Sequence, residues 1–217
     1  MTLAIFDLDN TLLAGDSDHA WGQFLVDQGI VDSETYQQAN DYFFAQYQNG
    51  SLDIDEFLAF ALKPLAEHSK QQLDAWHQQF MQQCISTMRL PKADKLLKKH
   101  RDQGDFLLII TATNLFVTGP IAKALGVDDI LATNPEFIDG AYTGKVAGTP
   151  CFQAGKVERL KQWLAATGRS LAGSYFYSDS CNDLPLLELV DYPVAVDADE
   201  RLSQHAQDNH WPQISLR

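Results

Sequence analysis

The first apolar run in the chain is LAIFDL at residues 3–8, and it reads as a buried strand that closes on acids. FLLII at 106–110 and SYFYS at 174–178 repeat the pattern, the second ending at Asp179, and YPVAV at 192–196 closes the set. Ile130–Thr133 predicts a short further strand, and residues 135–146 predict a hairpin turning at Asp139-Gly140. From about residue 16 to 85 the period changes. Trp21, Phe24 and Leu25, then Phe57, Leu58, Ala61 and Leu62, fall at helical spacing, with Pro64 the one proline in the stretch. These residues predict an insert of several helices with a small core of its own. Later helices are expected through Pro120–Leu125, ended by Gly126, and over Gly155–Ala166. Strands alternating with helices predict an α/β fold, a Rossmann-like, doubly wound parallel sheet with its site at the strand carboxyl ends. The division expected is a core of residues 1–15 and 86–217 and an inserted helical domain of residues 16–85.

Composition narrows the partners. The formal net charge of −13 repels polyanions, so neither nucleic acid nor an anionic membrane is expected to bind. Cys84, Cys151 and Cys181 are scattered and odd in number, which argues against a disulfide framework or a zinc site and for a reducing compartment. The start of the chain has no basic segment of the signal-peptide kind, and no apolar run is long enough to span a bilayer. A cytoplasmic protein, monomeric or homodimeric, is the expectation.

Four features lie where strands end. They are Asp7-Leu8-Asp9-Asn10-Thr11, then Thr111, then Lys156 at the start of a helix, then Asp179-Ser180-Cys181-Asn182-Asp183. Phosphoryl transfer from a monoester needs an in-line nucleophile, a proton donor for the leaving alkoxide and positive charge on the equatorial oxygens. Asp7 supplies a carboxylate nucleophile. Several carboxylates converging on one point do not all stay ionised without a cation, and an oxygen-rich set poor in histidine selects Mg²⁺. Lys156 adds a point charge, and the Thr111 hydroxyl with the amides after it suits a phosphate oxygen.

With these motifs in order along essentially the whole chain, the sequence resembles the haloacid dehalogenase-like hydrolase superfamily, in its phosphoserine-phosphatase-like subgroup with a helical cap. DLDNT matches the DxDxT motif, LLIIT the apolar run ending in Ser or Thr, Lys156 the third-motif lysine and SDSCND the final acid pair. The resemblance implies that Asp7 attacks phosphorus and ligates Mg²⁺. It implies that Asp9 protonates the leaving group, then activates water, and ligates the metal through its carbonyl. Thr111 and Lys156 bind phosphate, Asp179 ligates Mg²⁺, and Asp183 and Asn182 support the metal shell. Ala112, Thr113 and Asn114 are expected to line the phosphate pocket through backbone amides.

Asp16, Ser17, Asp18 and His19 precede the helical run HAWGQFLV, and two readings stay open: a helix N-cap, or acids that bind a substrate ammonium. Asp183 has a similar alternative, as the first-turn acid of the helix DLPLLELV. Tyr42, Phe43, Phe44 and Tyr47 read as core of the insert rather than as a substrate box. Residues 12–88 contain no Arg and only Lys63 and Lys70, which suits an amine-bearing phosphate ester without a carboxylate. DLDNTLLAGDSDHAWGQFL and ITATNLFVTGPIAKALGV are similar to a bacterial branch that includes histidinol-phosphate phosphatases. That similarity implies L-histidinol phosphate, a histidine-biosynthesis intermediate, as the small-molecule partner. Phosphoserine, or another small amino-alcohol phosphate, is the rival substrate. A receiver-like phospho-acceptor switch is the alternative outside enzymes; the long insert after strand one argues against it.

Overall fold

The computed structural model describes residues 2–217. β1 (Leu3–Phe6), β2 (Phe106–Asn114), β3 (Asp129–Thr133), β6 (Tyr175–Ser178), β7 (Tyr192–Val196) and β8 (Gln213–Ile214) form one sheet in the order β3-β2-β1-β6-β7-β8. Every neighbouring pair in it is parallel. The chain builds outward from β1 to β3, then crosses to β6 and builds outward on the other side. The order therefore reverses between β1 and β6, the place where such sheets bind ligands beyond their carboxyl ends.

Alternation along each strand sends side chains to two cores. Ala4, Phe6, Leu107, Ile109 and Tyr177 face one, with Leu97 of α7 (Pro91–Asp102) and Val117 and Ile121 of α8 (Leu115–Leu125). Leu3, Ile5, Leu108, Ile110 and Phe176 face the other, with Leu160 of α9 (Ala154–Thr167), Leu186 and Leu187 of α10 (Leu184–Leu187) and Leu202 of α11 (Glu200–Asp208).

The insert carries α1 (Ser17–Asp27), α2 (Ser33–Asn49), α3 (Ile54–Ala61), α4 (Lys63–Glu67) and α5 (Lys70–Phe80). The chain then passes through a π-helical segment, Met81–Ile85, into the single turn α6 (Ser86–Met88). Caps set these boundaries: Asp32 accepts from Thr35 N at 3.0 Å, and Ser69 with Gln72 forms a capping box. Gly50 ends α2 with φ of 72°. The two chain segments that join insert and sheet run side by side, with Leu13 bridged to Arg89 and Ala14 N donating to Met88 O at 2.8 Å.

The expected separate core of the insert is not what forms. Trp21, Phe24 and Leu25 of α1 and Leu73 and Phe80 of α5 join the cluster on the sheet. What remains apart is an aromatic group on α2 and α3, in which Phe43 meets Phe57 at 5.6 Å and Phe60 at 5.2 Å between ring centroids. The hairpin expected at 135–146 is β4 (Pro135–Ile138) and β5 (Ala141–Val146), turning through Asp139 and Gly140, both at positive φ. YPVAV does not close the sheet: β8 adds a further edge beyond it.

Candidate active site

β1 is central, and Asp7 is the first residue past its carboxyl end, its N–H donating to Tyr177 O at 2.9 Å. On one side lies Thr111, within the polar extension of β2; on the other lies Asp179, just past β6. The chain turns sharply after Asp9 through Asn10, whose φ of 57° is one that asparagine tolerates better than most side chains. The turn brings Asp9 back over the sheet edge.

Lys156 reaches this point from the first turn of α9. Its approach depends on Gly155, where a Cβ would sit 2.1 Å from Pro150 O. The ammonium is 1 % exposed. It donates to Asp7 Oδ1 at 2.6 Å and to Asp183 Oδ2 at 2.9 Å. Asp183 also accepts from Ser178 Oγ at 2.7 Å, and its side chain makes no capping bond to α10. Asp183 stands at the N-terminal boundary of α10, where a first-turn acid is expected, and its carboxylate is engaged by the ion pair with Lys156. Thr11 Oγ1 donates to Asp179 Oδ1 at 3.0 Å.

Asp9 is held by three donors. Ser17 N lies 2.6 Å from Oδ1, while Thr113 Oγ1 at 2.8 Å and Thr111 Oγ1 at 3.3 Å reach Oδ2. The side chains of Thr113 and Asn114 thus have duties of their own. Thr113 positions Asp9, and Asn114 caps α8 by accepting from Val117 N at 3.2 Å. Asn182 donates to Tyr47 O at 3.3 Å and accepts from Gln153 Nε2 at 3.1 Å. It therefore ties the sheet-end loop to the C-terminal end of α2.

A cavity opens above Asp7 and Asp9. Thr111, Ala112 and Thr113 line its floor, Asp16, Asp18 and His19 one side, and Asn40, Phe43, Phe44, Tyr47, Leu52, Ile54 and Phe57 its roof. Three of the four aromatics read as core therefore face this space, and the fourth, Tyr42, is exposed. Each feature expected at a strand end converges here. Thr11, the last residue of the DLDNT motif, completes the site with Ser178 and Gln153, which had not announced themselves because a lone hydroxyl or amide carries no spacing signal.

Electrostatics show what is short. Burial raises the Asp7 carboxyl well above the usual carboxylate range; Lys156 lowers it, but Asp183, Asp179 and Asp9 raise it further. Asp179 is pushed up to about 7, first by burial and then by Asp183. Burial depresses Lys156, but Asp183 and Asp7 more than reverse this and keep it protonated. Lys156 thus has Asp7 and Asp183 bonded to it and Asp179 nearby, with Asp9 adding a further acid beside Asp7. Among the described residues no three His, Cys, Asp or Glu side chains form a ready-made metal cage. Mg²⁺ does not require one: it takes one or two carboxylates and fills its octahedron with carbonyl, water and phosphate oxygens. An all-oxygen donor set with excess negative charge fits that ion.

A model of the haloacid dehalogenase-like hydrolase family matches residues 4–188. The chain is 46% identical over 219 residues to a histidinol-phosphatase of Neisseria meningitidis serogroup C (strain 8013), covering 99% of each chain. A crystal structure of a protein of unknown function from Bordetella pertussis Tohama I superposes with a TM-score of 0.94 at 44% identity, with 100% of both chains covered. A substrate-bound phosphoserine phosphatase shares the fold at a TM-score of 0.73 and 16% identity, over 100% of this chain and 93% of the other.

Proposed function

Because the chain belongs to the haloacid dehalogenase-like hydrolase family, we propose that it is a Mg²⁺-dependent phosphomonoester phosphatase whose substrate is L-histidinol phosphate. The observation that carries the chemistry is that Lys156 meets both Asp7, 149 residues before it, and Asp183, 27 residues after it, within hydrogen-bond distance, beside Asp9 and Asp179. Residues 16–85 act as a cap over a catalytic core of residues 1–15 and 86–217.

Asp7 Oδ attacks phosphorus, and the bond from phosphorus to the alkoxide oxygen breaks as Asp9 delivers a proton to that oxygen. Lys156 holds Asp7 in line and favours its ionised form against the burial and neighbouring acids that oppose it. Asp9, now a base, takes a proton from water that attacks the aspartyl phosphate; phosphate leaves and Asp7 is restored. The Thr111 hydroxyl and the amides of Ala112 and Asn114 would meet the phosphate oxygens, while the Thr113 amide steadies Thr111 by donating to its Oγ1 at 3.2 Å. Asp7 and Asp179 side chains and the Asp9 carbonyl would hold Mg²⁺, with Asp183 and Asn182 around them. The ion supplies positive charge for the equatorial oxygens when bound.

The cavity supports the choice of leaving group. Its walls carry carboxylates and aromatic rings, with His19 and Asn40 among them, and no Arg lines it to meet a substrate carboxylate. A cationic alcohol bearing an aromatic ring matches that lining, as does the histidinol-phosphatase name of the 46% identical relative. The test is Mg²⁺-supported phosphate release from L-histidinol phosphate, phosphoserine, phosphoethanolamine, a sugar phosphate and a nucleotide. The highest kcat/KM is expected for L-histidinol phosphate. A clear preference for phosphoserine would transfer the assignment to its rival.

A further inference from the structure

Asp16 and Asp18 both face the cavity, but the chain has already committed one of them. Asp16 Oδ1 accepts from Asp18 N and from His19 N, each at 2.9 Å, and so caps α1. Among the described residues no backbone N–H donates to the Asp18 carboxylate. Its carboxylate accepts from Asn114 Nδ2 at 3.5 Å, the outer limit of a hydrogen bond. The Tyr36 phenol, raised by burial, lies close enough to be raised further by Asp18. Among the described residues no Lys, Arg or His pairs with it, and its charged neighbours are Asp16 and Asp9. An acid in that position is raised well above its usual range by burial and by those two carboxylates, and it lacks a cation the protein does not supply.

Resting on the phosphatase reading above, we propose that Asp18 is the specificity-determining residue, taking the ammonium of the leaving group, while Asp16 serves as the helix cap. The chemistry of a 2-amino alcohol phosphate agrees with the placement. Its ammonium stands two carbons from the leaving oxygen, so the group that holds it must lie close to the acid that protonates that oxygen. Asp18 feels the charge of Asp9. Beyond Asp18, Phe43, Phe44 and Phe57 line the space into which the rest of the alcohol extends.

The experiment compares Asp18→Asn, Asp18→Glu and Asp16→Asn with the unmodified protein. Each is assayed on L-histidinol phosphate and on 4-nitrophenyl phosphate, which has no amine, with Mg²⁺ titrated in every case. Asp18→Asn is expected to lower the ratio of kcat/KM for the amine ester to that for the aryl ester by about 10- to 100-fold, the size of one charge-assisted hydrogen bond. Asp18→Glu is expected to recover part of the ratio. Asp16→Asn is expected to keep the cap and the melting temperature, because asparagine caps a helix as well as aspartate, and to leave the ratio in place. A ratio that collapses in Asp16→Asn but survives in Asp18→Asn overturns the assignment. So does an Asp18→Asn variant whose only change is a higher Mg²⁺ requirement with both esters, which would make Asp18 a metal holder. If the unmodified protein hydrolyses neither ester, the phosphatase reading itself fails, and that outcome is separate from the other two.

Discussion

Lys156 is buried between Asp7 and Asp183, and its removal leaves carboxylates with no positive partner. Breaking such a pair from one side costs about 3–5 kcal/mol, so Lys156→Met is expected to lower the melting temperature as well as activity. Asp7→Asn tests the nucleophile with little change of shape. Turnover should fall on the order of 10³-fold or more while circular dichroism stays native; rates near those of the unmodified protein would remove Asp7 from the role. Gly155→Ala tests position alone. The added methyl has no room against Pro150 O, so the first turn of α9 must shift and carry Lys156 with it. A loss of about 10²-fold in kcat/KM is expected, and a crystal structure of the variant should show the ammonium displaced. At this scale the sequence announced the acids, Thr111 and Lys156, because charge at a strand end is conspicuous. It concealed Ser178 and Gln153. Phe43, Phe44 and Tyr47 misled because an aromatic side chain at helical spacing reads alike whether it faces a core or a cavity.

Elements were legible wherever they carried continuous apolar runs. β1, β6 and β7 appear within two residues of their expected ends. β2 runs on to Asn114 because Thr111–Asn114 is extended but polar, so hydropathy stops short of the strand's functional end. α8 begins at Leu115, five residues before the Pro120–Leu125 stretch that marked it. α11 and β8 went unmarked, the first because only Leu202 and Ala206 are buried on it, the second because it is a pair of exposed residues. The contact between α1 and α2 was also hidden, for it depends on what is missing: at Gly22 a Cβ would come within 2.5 Å of Asn40 Oδ1. Asn40 in turn donates to His19 O at 2.9 Å, fixing α2 over the acids of α1. Gly22→Val should force the helices apart at a cost of about 1–3 kcal/mol. Steady-state kinetics should then show KM for the amine ester rising more than kcat falls. An unchanged KM would separate the α1–α2 contact from substrate binding.

For the whole molecule, acidity and metal are linked. Asp16 and Asp179 are held up to about 7 in the folded chain, each chiefly by burial, whereas in the unfolded chain they titrate near about 4. The folded state therefore binds more protons across that interval. The stability of the metal-free protein should be greatest at its acid end and decline as pH rises from about 4 to about 7. A divalent cation competes with those protons, so Mg²⁺ should raise the melting temperature more at about pH 8 than at about pH 5. Differential scanning calorimetry with and without chelator checks both signs; a shift that is larger in acid would contradict the placement of the ion among these carboxylates. The net charge of −13 makes the same demand from outside, since an anionic ester approaches an anionic surface.

The hydrogen bond from Asn182 to the carbonyl of Tyr47 spans the boundary between floor and roof. A catalytic chamber shut in this manner filters by bulk before it filters by chemistry. Free metabolites can be swallowed whole, whereas a phosphorylated side chain on a folded polypeptide would prop the two halves apart. The enzyme should therefore ignore phosphoproteins however well their phosphate suits Asp7, and phosphopeptides should be poorer substrates the longer the chain on either side of the modified residue.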